Sequence, residues 1–127
     1  MKESKLIIKI KRPVAEVFEF TINPANTPRW IDAIVSETTD TEEISIDTRY
    51  INVNNEGEKN SYQVSKFEKD RIFELQSLSS KYGVRYTYIP LSQDETELEY
   101  FEWDENLFNP FTIDVLQKLK TMMEKTV

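Results

Sequence analysis

Six segments of strand-forming sequence follow one another between residues 33 and 103, and this run restricts the chain to folds built on an antiparallel sheet. We place the strands at residues 33–39, 48–54, 59–68, 71–79, 82–92 and 95–103. The breaks between them contain turn-forming residues, including Asn54-Asn55-Glu56-Gly57, Lys69-Asp70 and Ser92-Gln93-Asp94. Segments about ten residues apart, joined by loops this short, favour pairing between neighbours in the chain.

The N-terminal part of the chain combines one strand with helical periodicity. Residues 4–11 are rich in isoleucine and predict a first strand. Pro13 suits the first position of a helix, because the N–H that it lacks would have no partner there. Asn23-Pro24 repeats this start signal and predicts a second, very short helix that reaches Pro28. The apolar stripe of the first helix consists of Val14, Val17, Phe18, Thr21 and Ile22.

A longer helix is predicted at the C-terminal end of the chain, with Pro110 as its first residue. A helix of about seventeen residues would measure about 25 Å, which is enough to cross a sheet diagonally. One face of it is formed by Phe111, Val115, Leu119 and Met122. A helix this apolar on one side must pack on another element, and the antiparallel sheet is the element available to cover it.

This order of elements resembles the START-like (SRPBCC) superfamily, particularly its polyketide cyclase/dehydrase-like branch. The opening of that branch is similar to the segment IIKIKRPVAEVFEFTINPANTPRW, and its paired central strands to VSKFEKDRIFELQS. Its last hairpin is similar to TYIPLSQDETELEYFEW, and its closing helix to LQKLKTMMEK. The sequence departs from the pattern at Asp94-Glu95-Thr96, where Gly-Gly-Thr is common, and at Ser45-Ile46-Asp47-Thr48, where a glycine usually opens the third strand.

The resemblance implies one α+β domain over residues 1–127 with the helix-grip fold. In this fold a curved antiparallel sheet of about seven strands wraps around a long C-terminal helix, in the order β-α-α-β6-α. The superfamily's ligands sit between the sheet and the helix. The resemblance therefore also implies a hydrophobic cavity at that position.

Composition excludes several classes of function. The chain has no Cys and no His, so it lacks thiol chemistry and the commonest metal ligands, and we predict no metal site. A net charge of −7 without a dense basic segment argues against nucleic-acid binding. No glycine-rich phosphate loop or nucleophile elbow is present, and we expect no cofactor. The N-terminus has neither a signal peptide nor a membrane span, which predicts a cytoplasmic protein.

Alternation along the strands predicts which side chains face the cavity. Tyr86 and Tyr88 share one face of their strand, and Tyr100 and Glu102 share a face of the next. The predicted cavity set is Tyr62, Phe73, Tyr86, Tyr88, Tyr100, Glu102, Phe111, Val115 and Leu119. The alternative is that these residues simply fill the core, because protein interiors pack densely. The phase of residues 48–54 stays open, since Tyr50 and Ile51 cannot both point inward.

Glu102 is the candidate acid or base of this set. A buried carboxyl at that position would have a raised pKa unless a cation or hydrogen bonds held it charged. The alternative is a bulge after Tyr100 that turns Phe101 and Trp103 inward and Glu102 outward. We favour the bulge, because carboxylates are rarely fully buried. Without it, Phe101 and Trp103 would form an apolar outer patch suited to a homodimer contact.

Three functions follow from these expectations. The first is binding of a small hydrophobic or aromatic molecule, lipid-like or polyketide-like, between sheet and helix. The second is a cyclase or dehydratase acting on a polyketide-like substrate through tyrosine hydroxyls and Glu102. The third is a protein-interaction module that uses the outer sheet face. We favour the binding function.

Overall fold

The computed structural model of the protein describes residues 1–125 and contains seven strands and three helices in that range. The elements up to the third strand are β1 (Lys2–Ile10), α1 (Val14–Ile22), α2 (Thr27–Trp30), β2 (Ile34–Thr39) and β3 (Arg49–Asn54). The remaining elements are β4 (Lys59–Glu68), β5 (Ile72–Ser77), β6 (Gly83–Ser92), β7 (Glu95–Asp104) and α3 (Ile113–Glu124). The predicted strands are confirmed, with ends that shift by one or two residues.

All seven strands join one antiparallel sheet in the order β1-β7-β6-β5-β4-β3-β2. Strands β2 to β7 form the predicted meander, and β1 adds to β7 at one edge. Because β1 and β2 lie at opposite edges, α1 and α2 carry the chain from one edge to the other. The sheet curls and α3 packs on it, so the predicted α+β class is confirmed and the architecture is consistent with the helix-grip fold.

The bulge that we favoured after Tyr100 is wrong. Residues of β7 pair continuously with β1 from Thr96 to Asp104, and Tyr100, Phe101, Glu102 and Trp103 keep their register with β6 as well. Strict alternation therefore turns Glu102 inward, where it is 2% exposed. A carboxylate can occupy this position because two donors reach it, as shown for the site below.

Phe101 and Trp103 accordingly lie on the outer face of the sheet, but both are half-buried. The Trp103 ring covers Gly83 so closely that an added Cβ would lie 2.2 Å from its Cζ2 atom. The Arg85 guanidinium lies over both rings, 5.9 Å from the centroid of Phe101 and 5.6 Å from that of Trp103. These aromatics thus pack against their own sheet, and their contact with a second copy stays a prediction.

Helix α3 begins at Ile113, three residues later than predicted, and has 12 residues. The backbone N–H of Phe111 donates a hydrogen bond to Glu102 instead of continuing a helix, and Thr112 at the N-cap is extended. The face that is fully buried also differs from the predicted one. It consists of Leu116, Leu119 and Met123, while Phe111, Val115 and Met122 pack at its border.

Hydrogen bonds join the C-terminal end of α3 to the end of β1. Arg12 donates from Nε to the carbonyl of Met123 at 3.0 Å, and Lys120 donates to the carbonyl of Lys9 at 2.7 Å. The backbone N–H of Lys11 donates to the Glu124 carboxylate at 2.8 Å. These contacts place α3 over the β1 edge, so it leaves the β2 side of the concave face uncovered.

We predict that Gly83→Ala destabilises the protein by about 1–3 kcal/mol, the usual cost of overpacking. The added methyl group would occupy the position of the Trp103 ring. Urea unfolding of the variant and the wild type measures the difference. The same substitution in a Trp103→Leu background is the control and should cost much less, because a leucine side chain can move aside. Equal costs in both backgrounds would contradict this explanation.

Candidate ligand-binding cavity

A half-enclosed cavity of about 160 Å³ lies on the part of the concave face that α3 does not cover. Ile31, Ala33 and Phe111 line both this cavity and a surface groove, so its mouth lies between the turn before β2 and the segment before α3. Its wall is rich in aromatic residues. The aromatic residues are Tyr50, Tyr62, Phe73, Tyr82, Tyr86, Tyr100 and Phe111.

Five rings of the aromatic wall form a connected set centred on Tyr86, and Tyr62 and Tyr82 pair with each other. The Tyr86 ring centroid lies 5.6 Å from that of Phe73 and 5.2 Å from that of Tyr100, whose ring meets it edge to face. Tyr100 in turn stacks on Phe111 at 5.0 Å. Ring pairs at these distances stabilise one another beyond simple burial. The wall therefore offers an ordered aromatic surface to a ligand.

The tyrosine hydroxyls of the wall are neutral groups. Burial raises the pKa of Tyr86 and of Tyr100 well above the ordinary value, and it also raises the pKa of Tyr50, Tyr62 and Tyr82. Deprotonation would leave a phenolate in an apolar environment, which is costly. At neutral pH these side chains therefore act as hydrogen-bonding groups without charge.

A polar end of the cavity is built around Glu37. Thr27 donates from its hydroxyl to Oε1 of Glu37 at 2.6 Å, and Asn52 donates from its side-chain amide to Oε2 at 3.2 Å. Burial raises the pKa of Glu37, while these two hydrogen bonds act in the opposite direction. Glu37 is the one residue with an ionisable carboxyl or a basic group among the described residues that line the cavity.

Sequence reasoning missed Glu37 because β2 contains a bulge. Ile34 pairs with Asn54, whereas Ser36 pairs with Val53 and Glu37 with Asn52, so the register shifts between Ile34 and Ser36. Simple alternation from Ile34 would have turned Glu37 outward. The open phase of residues 48–54 is also settled: Tyr50 and Asn52 are buried, and Ile51 points the other way. The sequence signal for this polar end was Asn52, which follows Tyr50 by two positions and therefore lies on the same face of the strand.

The structure places five residues of the predicted cavity set in the wall: Tyr62, Phe73, Tyr86, Tyr100 and Phe111. The other four lie elsewhere. Tyr88 is covered by α1, where its hydroxyl lies 2.7 Å from that of Thr21. Leu119 is fully buried in the core, and Val115 lines the surface groove outside the mouth. Leu116, Leu119 and Met123 are the residues that α3 turns towards the sheet, so Leu119 packs in the core and Val115 lies at its border.

Glu102, the fourth residue, lies behind the wall and joins three parts of the fold. Its carboxylate accepts the Tyr82 hydroxyl at 2.6 Å through one oxygen and the Phe111 backbone N–H at 2.8 Å through the other. Burial raises the pKa of Glu102, and both hydrogen bonds lower it. Glu102 thus holds the segment before α3 against β7, and it reaches the cavity through Tyr82.

Solved structures of low sequence identity superpose on most of the chain. XoxI from Bacillus cereus is 14% identical and superposes with a TM-score of 0.78 over 98% of this chain and 97% of its own. Norcoclaurine synthase from Thalictrum flavum, in complex with dopamine and hydroxybenzaldehyde, is 6% identical, with a TM-score of 0.70 over 99% of this chain and 88% of its own. The chain has a START-like fold.

The START-like fold also occurs in the di-domain ARO/CYC protein BexL, which is 14% identical with a TM-score of 0.69. That match covers 81% of this chain and 35% of BexL, so the chain spans about a third of that protein's length. No family model and no curated protein matches the sequence. No helix within residues 1–125 is long and apolar enough to cross a membrane.

We predict that Glu102→Ala destabilises the protein more than Tyr82→Phe does. The alanine variant leaves both the Phe111 N–H and the Tyr82 hydroxyl without an acceptor, and each unsatisfied buried group costs about 1–3 kcal/mol. Tyr82→Phe removes one hydrogen bond and should cost about 1 kcal/mol. Urea unfolding measures both values. Equal costs would show that the Phe111 contact does not contribute to stability.

Proposed function

We propose that the protein binds a small hydrophobic or aromatic molecule in the cavity beside α3. The observation that supports this most directly is the aromatic wall with polar groups at one end, the composition usual for small-molecule sites. If these residues simply filled the core, their side chains would contact one another across this space. The cavity lies on the concave face of the sheet beside α3, whereas the sequence resemblance implies a site between the sheet and the helix.

The size of the cavity favours a ligand with one ring over a lipid chain or a fused polyketide. Its volume is about 160 Å³, and an engineered cavity of about 150 Å³ is known to hold benzene. The similarity to norcoclaurine synthase agrees with this choice, because the ligands in that structure, dopamine and hydroxybenzaldehyde, have one aromatic ring each. Fold likeness supports the location of a site, and the residues of this chain define its chemistry.

A cyclase- or dehydratase-like enzyme is the second candidate, and the pair formed by Tyr82 and Glu102 favours it. Tyr82 lines the cavity, and its hydroxyl is 2.6 Å from the buried Glu102 carboxylate. A substrate proton could pass to the Tyr82 oxygen while Tyr82 gives its own hydroxyl proton to the Glu102 carboxylate, so that the pair would act together as a general base. The chain offers neither His nor Cys for this purpose. We rank this candidate second because Glu102 also has a structural role.

We predict that wild-type protein binds neutral one-ring aromatics such as benzyl alcohol, and that Ala33→Trp blocks this binding. Ala33 is exposed at the mouth, so an indole there would close the entrance without overpacking the core. Chemical shifts of the Tyr86 and Phe73 amides in ¹H–¹⁵N spectra measure binding. The matched control is Val35→Trp, at a position 61% exposed and outside the lining. Equal binding by both variants would place the ligand elsewhere.

For the enzyme candidate we predict that Tyr82→Phe lowers kcat by about 100-fold or more on any aromatic substrate that the wild type converts, the usual contribution of a general base. Glu102→Gln should lower kcat as well, because the amide cannot exchange a proton with Tyr82. Steady-state kinetics with product analysis tests this. Unchanged kcat in both variants would remove the pair from catalysis and leave the binding function.

A further inference from the structure

We propose that the cavity prefers ligands in which one aromatic ring carries a protonated amine, with the ammonium group bound by Glu37. This inference rests on the proposed function, since it assigns a ligand class to the same cavity. It is motivated by the way Glu37 is paired. Two neutral donors, Thr27 and Asn52, hold one oxygen each.

Glu37 is half-buried, and the two carboxylates that are more deeply buried within residues 1–125 show the contrast. Glu74 is 6% exposed and pairs with Arg85, whose Nε lies 2.6 Å from Oε2, while Ser65 donates to its other oxygen. Glu102 is held by a phenol and a backbone N–H behind the wall. Glu37 alone of these three faces the cavity, and within residues 1–125 no ion pair involves it.

Glu37 has unused acceptor positions for a cation, and its desolvation makes a cationic partner favourable. An ionised carboxylate offers about four acceptor positions, of which Thr27 and Asn52 use two. Glu37 is partly removed from water without a cation beside it, which is unfavourable for a carboxylate, and an ammonium group from a ligand would compensate for this desolvation. Hydrogen bonds between two charged groups are also about twice as strong as neutral ones.

The rest of the cavity fits the remainder of such a ligand. Its volume suits one ring with a short side chain, as in benzylamine or phenethylamine. The faces of Tyr62 and Tyr86 attract cations as well as rings. The net charge of −7 increases the local concentration of cationic ligands and disfavours anionic ones.

The groups that surround Glu37 give the binding a defined pH dependence. The ionisable side chains facing it are the phenols of Tyr50 on β3, Tyr62 on β4 and Tyr86 on β6, and burial raises the pKa of each, so they stay neutral. On α2 the basic residue is Arg29, which is exposed and lies over the ring of Phe20. Glu37 is therefore the group that titrates.

Burial raises the pKa of Glu37 above the ordinary value of 4.5, so the carboxylate takes up its proton at less acidic pH than a free glutamate. Protonation removes the charge that holds the ammonium group. Amine binding should accordingly be strongest near neutral pH and should weaken as the pH falls towards 4.5. Binding of a neutral ligand of the same shape should not follow this profile.

The test compares benzylamine with benzyl alcohol, which has the same ring and no charge. At pH 7 and low salt we expect the wild type to bind benzylamine at least tenfold more tightly, because a hydrogen bond between charged groups is stronger than a neutral one. Glu37→Gln should lower benzylamine affinity at least tenfold and leave benzyl alcohol within about twofold. Glu56→Gln, an exposed residue outside the lining, makes the same change in net charge and should alter neither affinity.

The outcomes separate this inference from the proposed function. If wild-type protein binds both compounds equally, the amine preference is wrong and the cavity function stands. If it binds neither compound, both are wrong. The pH series on the wild type provides a measurement that does not depend on the folding of any variant. Benzylamine affinity that stays constant down to pH 4.5 would also overturn the role of Glu37.

Discussion

The fold depends on a difference in size: α3 is shorter than the sheet is wide. Twelve helical residues measure about 18 Å, whereas seven strands at their usual spacing extend over about 29 Å. One helix therefore cannot cover the concave face, and the hydrogen bonds from Arg12 and Lys120 hold α3 at the β1 edge. Helices α1 and α2 cover a further part. The cavity is the portion of the face that remains.

Two buried carboxylates, Glu74 and Glu102, and the half-buried Glu37 show how the sheet accommodates charge. Glu74 has an arginine partner on the neighbouring strand, and Glu102 is held by two donors that also position the start of the C-terminal segment. Both carboxylates thus have their partners within the protein, so we assign each of them a structural role. Glu37 is held by neutral donors and lies at the cavity. It is therefore the carboxylate to which a group from a ligand can bind.

Much of the sheet was predictable because its strands obey simple alternation. Tyr86 and Tyr100 reach the wall as predicted, since β6 and β7 pair without interruption through this region. Side chains could not be placed from sequence where the alternation is broken or where helix packing decides which face is buried. The bulge in β2 reverses the phase of Glu37, and α3 packs with Leu119 in the core and Val115 at its border.

By itself, the sequence determined the order of elements, the antiparallel sheet and the aromatic character of its inner face. These properties follow from hydrophobic period and turn residues, which are local along the chain. Only the tertiary structure decided that Glu102 is buried, that Glu37 and Asn52 meet, and that a cavity remains beside α3. The physical reason is that each of these results depends on partners far apart in the sequence. Phe111 and Tyr82 satisfy Glu102, and no local pattern encodes where their donors will point.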